Sequence, residues 1–452
     1  MVGKPRKLVL KSTAGGREEA FRRLARRVDN LITADRLRVY PVLLIVAGAL
    51  GLAAGSLVRI LDPAAQGAFL PDYLAHWTGG RLLWDDPGNL YDPGIQNRVQ
   101  GEALGTTTPH LAWFVSPPIV AALYAPLALI PYNLSGLLWL GINTAMLVCC
   151  ISSLGAVAPD LMRHRQKLVF LVVLAAPPTF ELLGSGQDSA FVLFLWLTGI
   201  RLFSAGYSGW AGAVLGLGVA KPQLVLVVPL VLLAMQSYKA LAAFVGVVGA
   251  MSGISLALVG FEGIGRWTSA LSSPLYMTEV QQGQAWKMVG LPSLLQALMP
   301  PGWGDGIAPL LTTASLPLGA AILLVTLLRL GKSAVDPQAV WIATLATTLT
   351  FSPHLATYDA VLFVPVVIFL LERRPTRTLR IAAASAFTLM WMVPPLHLAA
   401  LSLPWPLSVV DAPWASLPLT VLWLESLRTL RALQPGTLEA AQAPGEQRQQ
   451  GR

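Results

Sequence analysis

Charge is scarce in this chain. Asp, Glu, Lys and Arg make up 12% of its 452 residues, against roughly a quarter in soluble globular domains. That is too little to cover a water-exposed surface of this size, so a string of soluble domains is excluded. Cysteine is almost missing as well. Cys149 and Cys150 stand side by side in an apolar run, which excludes a disulfide framework and a cysteine metal site. There is no Walker P-loop and no HExxH, GxSxG or CxxC pattern, so nothing points to nucleotide or zinc chemistry. No internal repeat is visible, which counts against a transporter assembled from repeats.

What the chain has instead is apolar length. Hydrophobic residues are 54% of it, and its mean hydropathy is +0.61. Runs near the ~20 residues that cross a bilayer recur from Val39 to Leu427. The fold class these imply is an all-α polytopic membrane protein with about twelve transmembrane helices. Residues 1–38 carry eleven Lys/Arg and four Asp/Glu. Nucleic-acid binding and a solvated tail are alternatives, but a span follows directly, so the segment reads as a cytoplasmic anchor against anionic lipid. It is no cleavable signal, because the first apolar run starts near residue 39 and is long enough to span.

Lys and Arg beside span ends mark the cytoplasmic side, and they set the rest of the topology. Span 39–60 runs outward, and 61–115, with two Lys/Arg and six Asp/Glu, forms a first extracytoplasmic loop. The cluster Arg163, Arg165, Lys167 should lie inside. Two full crossings before it would put it outside. The short, proline-bounded run 116–130 is therefore read as re-entrant, and 136–154 as the span. Spans at 167–183 and 187–204 follow, then 209–237, broken into two short helices at Lys221-Pro222. Span 239–261 leads to a second outer loop, 262–305. Spans at 307–330, 338–352, 357–371, 381–400 and 407–427 complete a membrane domain over 39–432. A polar tail, 433–452, is expected to be disordered in the cytoplasm. The location this implies is the inner (plasma) membrane.

This topology gathers the unusual residues on the outer side: Asp72, His76, Arg81, Asp85, Asp86, His110, Gln187, Lys221, Gln223, His354, Tyr358 and Asp359. Ionisable groups at a bilayer are costly and point to function. Residues 71–84 read as a helix on the membrane surface, with Tyr73, Trp77 and Trp84 at the interface. Asp72 and His76 share one face; Asp72 could equally be a helix cap. Asp92-Pro93 marks a second helix start. Lys221, at the helix break, could snorkel or bind an anion. His354 could be an ordinary interfacial histidine, and Asp359 could pair with it or with Lys221. Gln187 and Asp188 could simply cap the next span. The outer-loop residues Glu262, Arg266, Tyr276, Trp286 and Lys287 read as a solvated rim.

Several stretches, in order, resemble glycosyltransferase family 87. They are Asp72-Tyr73 through Gly80-Arg81-Leu82; Asn89-Leu90-Tyr91-Asp92-Pro93; Ser116-Pro117-Pro118 with Ala125-Pro126-Leu127; Gly186-Gln187-Asp188; Lys221-Pro222-Gln223 with Pro229; and Ser352-Pro353-His354 with Tyr358-Asp359. The resemblance implies a GT-C fold, juxtamembrane helices in the first loop beside a lipid groove, and a polyprenyl-phosphate sugar as donor. It implies Asp72 as catalytic base, with His354 contributing as in related mannosyltransferases. Lys221 and Arg81 would then stabilise the donor phosphate, and His76, Gln187, Gln223, Tyr358 and Asp359 would contact substrate. The partners would be that donor, a lipid-linked or envelope glycan acceptor and membrane lipid, with no nucleic acid. No cofactor is expected, and a divalent metal near Asp85 and Asp86 is left open. The competing readings are a polyprenyl-lipid flippase and a non-catalytic partner in envelope assembly.

Overall fold

The computed structural model describes residues 33–106, 112–276, 284–300, 304–331 and 336–433. The basic segment up to residue 32, His110 and the tail beyond 433 that was expected to be disordered lie outside the described residues. Among those described there is no strand. The only β-type pairing there is one bridge between Met288 and Ala356.

Helix α1 (Ala34–Leu61) starts at Thr33, whose side chain accepts from the Arg36 amide. It leaves Leu43, Leu50, Leu57 and Leu61 largely bare. An apolar face of that size is unfavourable in water and natural in lipid. Two helices of the first loop follow, α2 (Pro71–Asp85) and α3 (Pro93–Leu104). Asp92 caps α3 as the sequence indicates, accepting from the Ile95 amide at 2.9 Å.

The aromatics Tyr73 and Trp77 of α2, expected at the membrane interface, pack inside the protein instead. Every residue from Tyr73 to Gly80 is buried, and of the three aromatics only Trp84 is exposed. The cause is α4 (Pro118–Tyr124), which packs over it. The contact is close because Gly80 has no side chain: a Cβ there would come within 2.7 Å of the Tyr124 carbonyl carbon. The indole N–H groups serve this contact, Trp77 donating to the Ile130 carbonyl and Trp84 to that of Ala125. α4 has seven residues between Pro117 and Pro131 and cannot cross a bilayer, in keeping with a re-entrant segment.

α5 (Tyr132–Ser153) leads to α6 (Pro159–Leu174) and α7 (Pro177–Ser185). The segment expected as a straight span over 167–183 is bent. α6 begins before the basic cluster, and the pair bends by 57° ahead of Pro177-Pro178; the second proline lacks the N–H and the room a helix interior needs. α8 (Ser189–Ser204) precedes α9 (Ser208–Gly216) and α10 (Val228–Ala234), and between the last two the chain breaks into 3-10 turns on either side of Lys221. That is the expected interruption. α11 (Tyr238–Leu271) kinks at Gly260. α12 (Leu291–Ala297), α13 (Gly304–Leu330) and α14 (Pro337–Phe351) come next. A 3-10 turn over Thr357–Leu362 enters α15 (Phe363–Arg373), and α16 (Arg377–Ala400) and α17 (Ser416–Ala432) close the bundle. The last apolar run thus splits into a 3-10 turn at Leu407–Asp411 and α17.

α14 is buried on all sides from Ala339 to Phe351. Its lack of a polar face matches this central place, against α8, α13 and α17. Five described helices are long and apolar enough to cross a membrane, or six if the bent α6–α7 pair counts as one span. Others, such as α8, are apolar but shorter. The polytopic class therefore holds, while helix length does not supply the expected twelve crossings.

Candidate active site

A cavity of about 260 Å³ opens where the first loop meets the breaks in the bundle. Asp72 and His76 reach it from α2, Gln187 from the α7–α8 turn, and Lys221 and Gln223 from the interrupted element. His354, Tyr358 and Asp359 reach it from the α14–α15 connection. Residues dispersed over most of the chain thus share one chamber.

Asp72 is not the cap of α2. That position belongs to Leu70, in the left-handed region at φ 52°, with no side-chain capping bond. Asp72 makes no hydrogen bond or ion pair among the described residues, so its carboxylate is free to act in the chamber. Its position is set from beneath by the turn after α7. Gly186 there has φ +77°, and a Cβ on it would fall 2.7 Å from that of Tyr73. Only glycine combines that backbone with that approach. The turn is pinned by Trp139, which donates to the Gly186 carbonyl at 2.8 Å, and by Asn143, which donates to that of Gln187. Tyr73 in turn hydrogen-bonds the Ser135 hydroxyl.

The chamber's one lining ammonium is tightly held. Lys221 Nζ lies 2.7 Å from Asp188 and 3.2 Å from Asp359, donates to Gln187 Oε1 and Ser189 Oγ at 3.2 Å, and sits 5.2 Å above the Tyr358 ring. Ser189 also donates to Asp359 at 2.6 Å. Of the alternatives left open for Asp359, pairing with Lys221 is the one formed. Asp188 makes no capping bond to α8; it is a charge partner that the sequence reading passed over, signalled only by its place beside Gln187.

His76 is buried, stacked on Tyr124 with ring centres 4.6 Å apart, and its Nδ1 has no partner among the described residues. His354 sits in a loop fixed by the Ser352 hydroxyl, which donates to the His354 carbonyl at 3.0 Å, and by the nearby Met288–Ala356 bridge. Burial pushes both imidazoles below the ordinary histidine pKa, against partial opposition from neighbouring carboxylates. An unfolded chain takes up these protons near pH ~6.5, the folded one only at lower pH. Between the two values the unfolded state holds more protons, so stability falls as pH drops through that window. The thermal midpoint in detergent is expected to decrease from pH 7 to pH 5, and His76→Gln should flatten that slope.

Arg81 is elsewhere. It pairs with Asp85 at 2.6 Å on the surface of α2 and does not line the chamber. Asp86 accepts from the Asn89 side chain at 2.9 Å. Among the described residues no group of three or more His, Cys, Asp or Glu side chains is placed to hold a metal ion. The second outer loop is more than a solvated rim. Glu262 and Arg266 do form an exposed pair at 2.7 Å. Tyr276, however, lines the chamber, Trp286 stacks on His397 at 4.3 Å, and Lys287 pairs with Glu181 at 3.1 Å.

The sequence model of glycosyltransferase family 87 matches residues 114–356, just over half of the chain. The chain belongs to glycosyltransferase family 87. Comparisons with curated proteins and with solved structures returned no match. Within this glycosyltransferase, the matched stretch contains Gln187, Lys221, Gln223 and His354. Asp72 and His76 precede it in sequence, and folding brings them to the same chamber.

Proposed function

We propose that this family 87 glycosyltransferase moves a hexose- or pentose-type sugar from a polyprenyl-phosphate donor to a lipid-linked or envelope glycan acceptor. The transfer takes place on the periplasmic face of the inner membrane. The observation that carries this is the unpaired Asp72 carboxylate, set in a chamber with a buried His76 and a partly buried His354. The topology read from basic residues puts that chamber outside, and the bare apolar helices around it support a lipid-borne donor.

Asp72 accepts the proton of the acceptor hydroxyl. The hydroxyl oxygen attacks the anomeric carbon, the bond from that carbon to the phosphate oxygen breaks, and the lipid phosphate leaves with the electron pair. One displacement inverts the anomeric centre. The phosphate is already a good leaving group, so no separate acid is required. His354, neutral in its buried loop, orients the acceptor. The sequence expectation puts Lys221 on the donor phosphate. With two carboxylates on it, we read it as the ion that fixes Gln187, Tyr358 and Asp359 against the acceptor.

The test is purified protein incubated with membrane lipid extract and a panel of radiolabelled polyprenyl-phosphate sugars. Label should pass from one of these donors to an acceptor, and soluble nucleotide sugars should give none. Transfer from a nucleotide sugar alone would sink the reading.

A further inference from the structure

Residues 112–116 wall the chamber on one side without belonging to a helix or a strand. Backbone groups in such a run need partners once they leave water. Two buried glutamines of α3, four residues apart and so on one face of it, supply them. The Ala112 amide donates to Gln100 Oε1 at 3.0 Å, and Gln100 Nε2 donates back to the Ala112 carbonyl at 2.6 Å. The Phe114 amide donates to Gln96 Oε1 at 2.9 Å, and Gln96 Nε2 donates to the Phe114 carbonyl at 3.1 Å and to that of Leu90 at 2.9 Å. Each side-chain amide thus closes the two-bond pair that a residue of an adjacent strand would make. Gln96 and Gln100 precede the stretch that matches the family model.

The spacing of two between the paired residues is that of an extended chain, whose successive side chains leave on opposite faces. Phe114 turns into the core above Gly79, where a Cβ would fall 2.6 Å from its ring. Trp113 and Val115 therefore leave on the other face, and both line the chamber. A second indole meets them from α11. Trp267 lines the chamber too, and its Nε1 donates to the Val115 carbonyl at 2.9 Å. With that N–H committed, Trp267 has its ring to offer. Aromatic faces with polar groups beside them suit a sugar ring, whose C–H faces pack on them while its hydroxyls bond at the edges. Ser116 and Gln223 line the same chamber and can exchange hydrogen bonds with such hydroxyls. The one lining ammonium is matched by Asp188 and Asp359, so an uncharged ring fits this chamber and an anionic one does not.

We infer that Trp113 and Trp267 form the platform for an uncharged sugar ring of the acceptor, and that Gln96 and Gln100 are positioning residues that hold this platform at the chamber. The inference rests on the proposed transfer reaction and deepens it, since it gives the acceptor a point of attachment besides Asp72.

The experiment measures binding first. Full-length protein in nanodiscs is mixed with the methyl pyranosides of glucose, mannose and galactose, and with methyl glucuronide as an anionic counterpart. Saturation transfer from protein to sugar is read by NMR. At least one methyl hexopyranoside should take up saturation, most strongly on a C–H face, and methyl glucuronide should take up little. Trp113→Ala is expected to weaken the binding about tenfold, the worth of one aromatic contact, and Trp113→Phe much less. Gln96→Glu and Gln100→Glu keep their shape but lose the donors that face carbonyls, and each should weaken it about threefold. In the transfer assay the same variants should raise the amount of lipid extract needed for half-maximal rate, with kcat and the KM for the donor little changed. Unchanged sugar binding in Trp113→Ala, or no saturation in any methyl hexopyranoside, would overturn the platform; this reading stands whether or not the glutamine variants fold. Glutamine variants that melt lower but bind sugar as the parent does would be structural only. Equal saturation of methyl glucuronide would overturn the uncharged class, and a raised KM for the donor instead of the acceptor would overturn the acceptor assignment. Full transfer by Asp72→Asn, beside sugar binding that still depends on Trp113, would sink the transfer reading alone.

Discussion

Asp72→Asn is expected to lower sugar transfer by about 10²–10⁴-fold, the usual worth of a positioned base, while membrane insertion and thermal stability stay unchanged. Stability should hold because the carboxylate has no bond to lose within the described structure and does not cap its helix. The amide keeps the shape and removes the ability to take a proton. Initial rates with the competent donor give the readout, beside the melting curve of the same preparation. Activity close to that of the unaltered protein would exclude Asp72 as the base. A parallel collapse in melting temperature would mean that the carboxylate is structural.

Lys221→Met should be the most damaging single change to stability. Its ammonium sits between Asp188 and Asp359 with little access to water, and those carboxylates are more deeply buried still. Removing one side of such a pair leaves uncompensated charge and costs about 3–5 kcal/mol. Neutralising a carboxylate at the same time should restore part of the loss, so Lys221→Met with Asp359→Asn is expected to melt above Lys221→Met alone. If the single variant melted like the parent, the triad would hold nothing together. If it melted normally but bound polyprenyl phosphate poorly, Lys221 would be a ligand of the donor phosphate.

Much of this site could be read before folding was considered. Asp72, His76, Gln187, Lys221, Gln223, His354, Tyr358 and Asp359 all stood out as polar groups at the edges of apolar runs, and all line one chamber. Polar residues in such places are rare enough to carry a signal. The break at Lys221-Pro222 was legible for the same reason: proline leaves a local mark. What escaped was whatever depends on partners distant in sequence. Lys287 read as part of a solvated rim; only packing shows that it borders a cavity together with Arg59. Asp188 sat where a cap is expected, and no local rule separates a cap from half of a buried ion pair. The aromatic face of α2 fitted an interfacial helix by spacing, and α4 overrode it. Helix length leaves the count of twelve spans unconfirmed for a related reason. Apolar runs report burial in lipid or in protein alike, and α14 is apolar because it is enclosed by other helices.

The turn at Gly186 has a practical consequence for exchanging parts between relatives. The proposed base, Asp72, stands in the first loop, yet its height in the chamber is gauged by a bare backbone at Gly186 pressed under Tyr73. A chimera that imports another enzyme's first loop alone would inherit a carboxylate without its footing. Transplanting loop and turn as a matched set is the smallest graft that keeps the reacting groups in register.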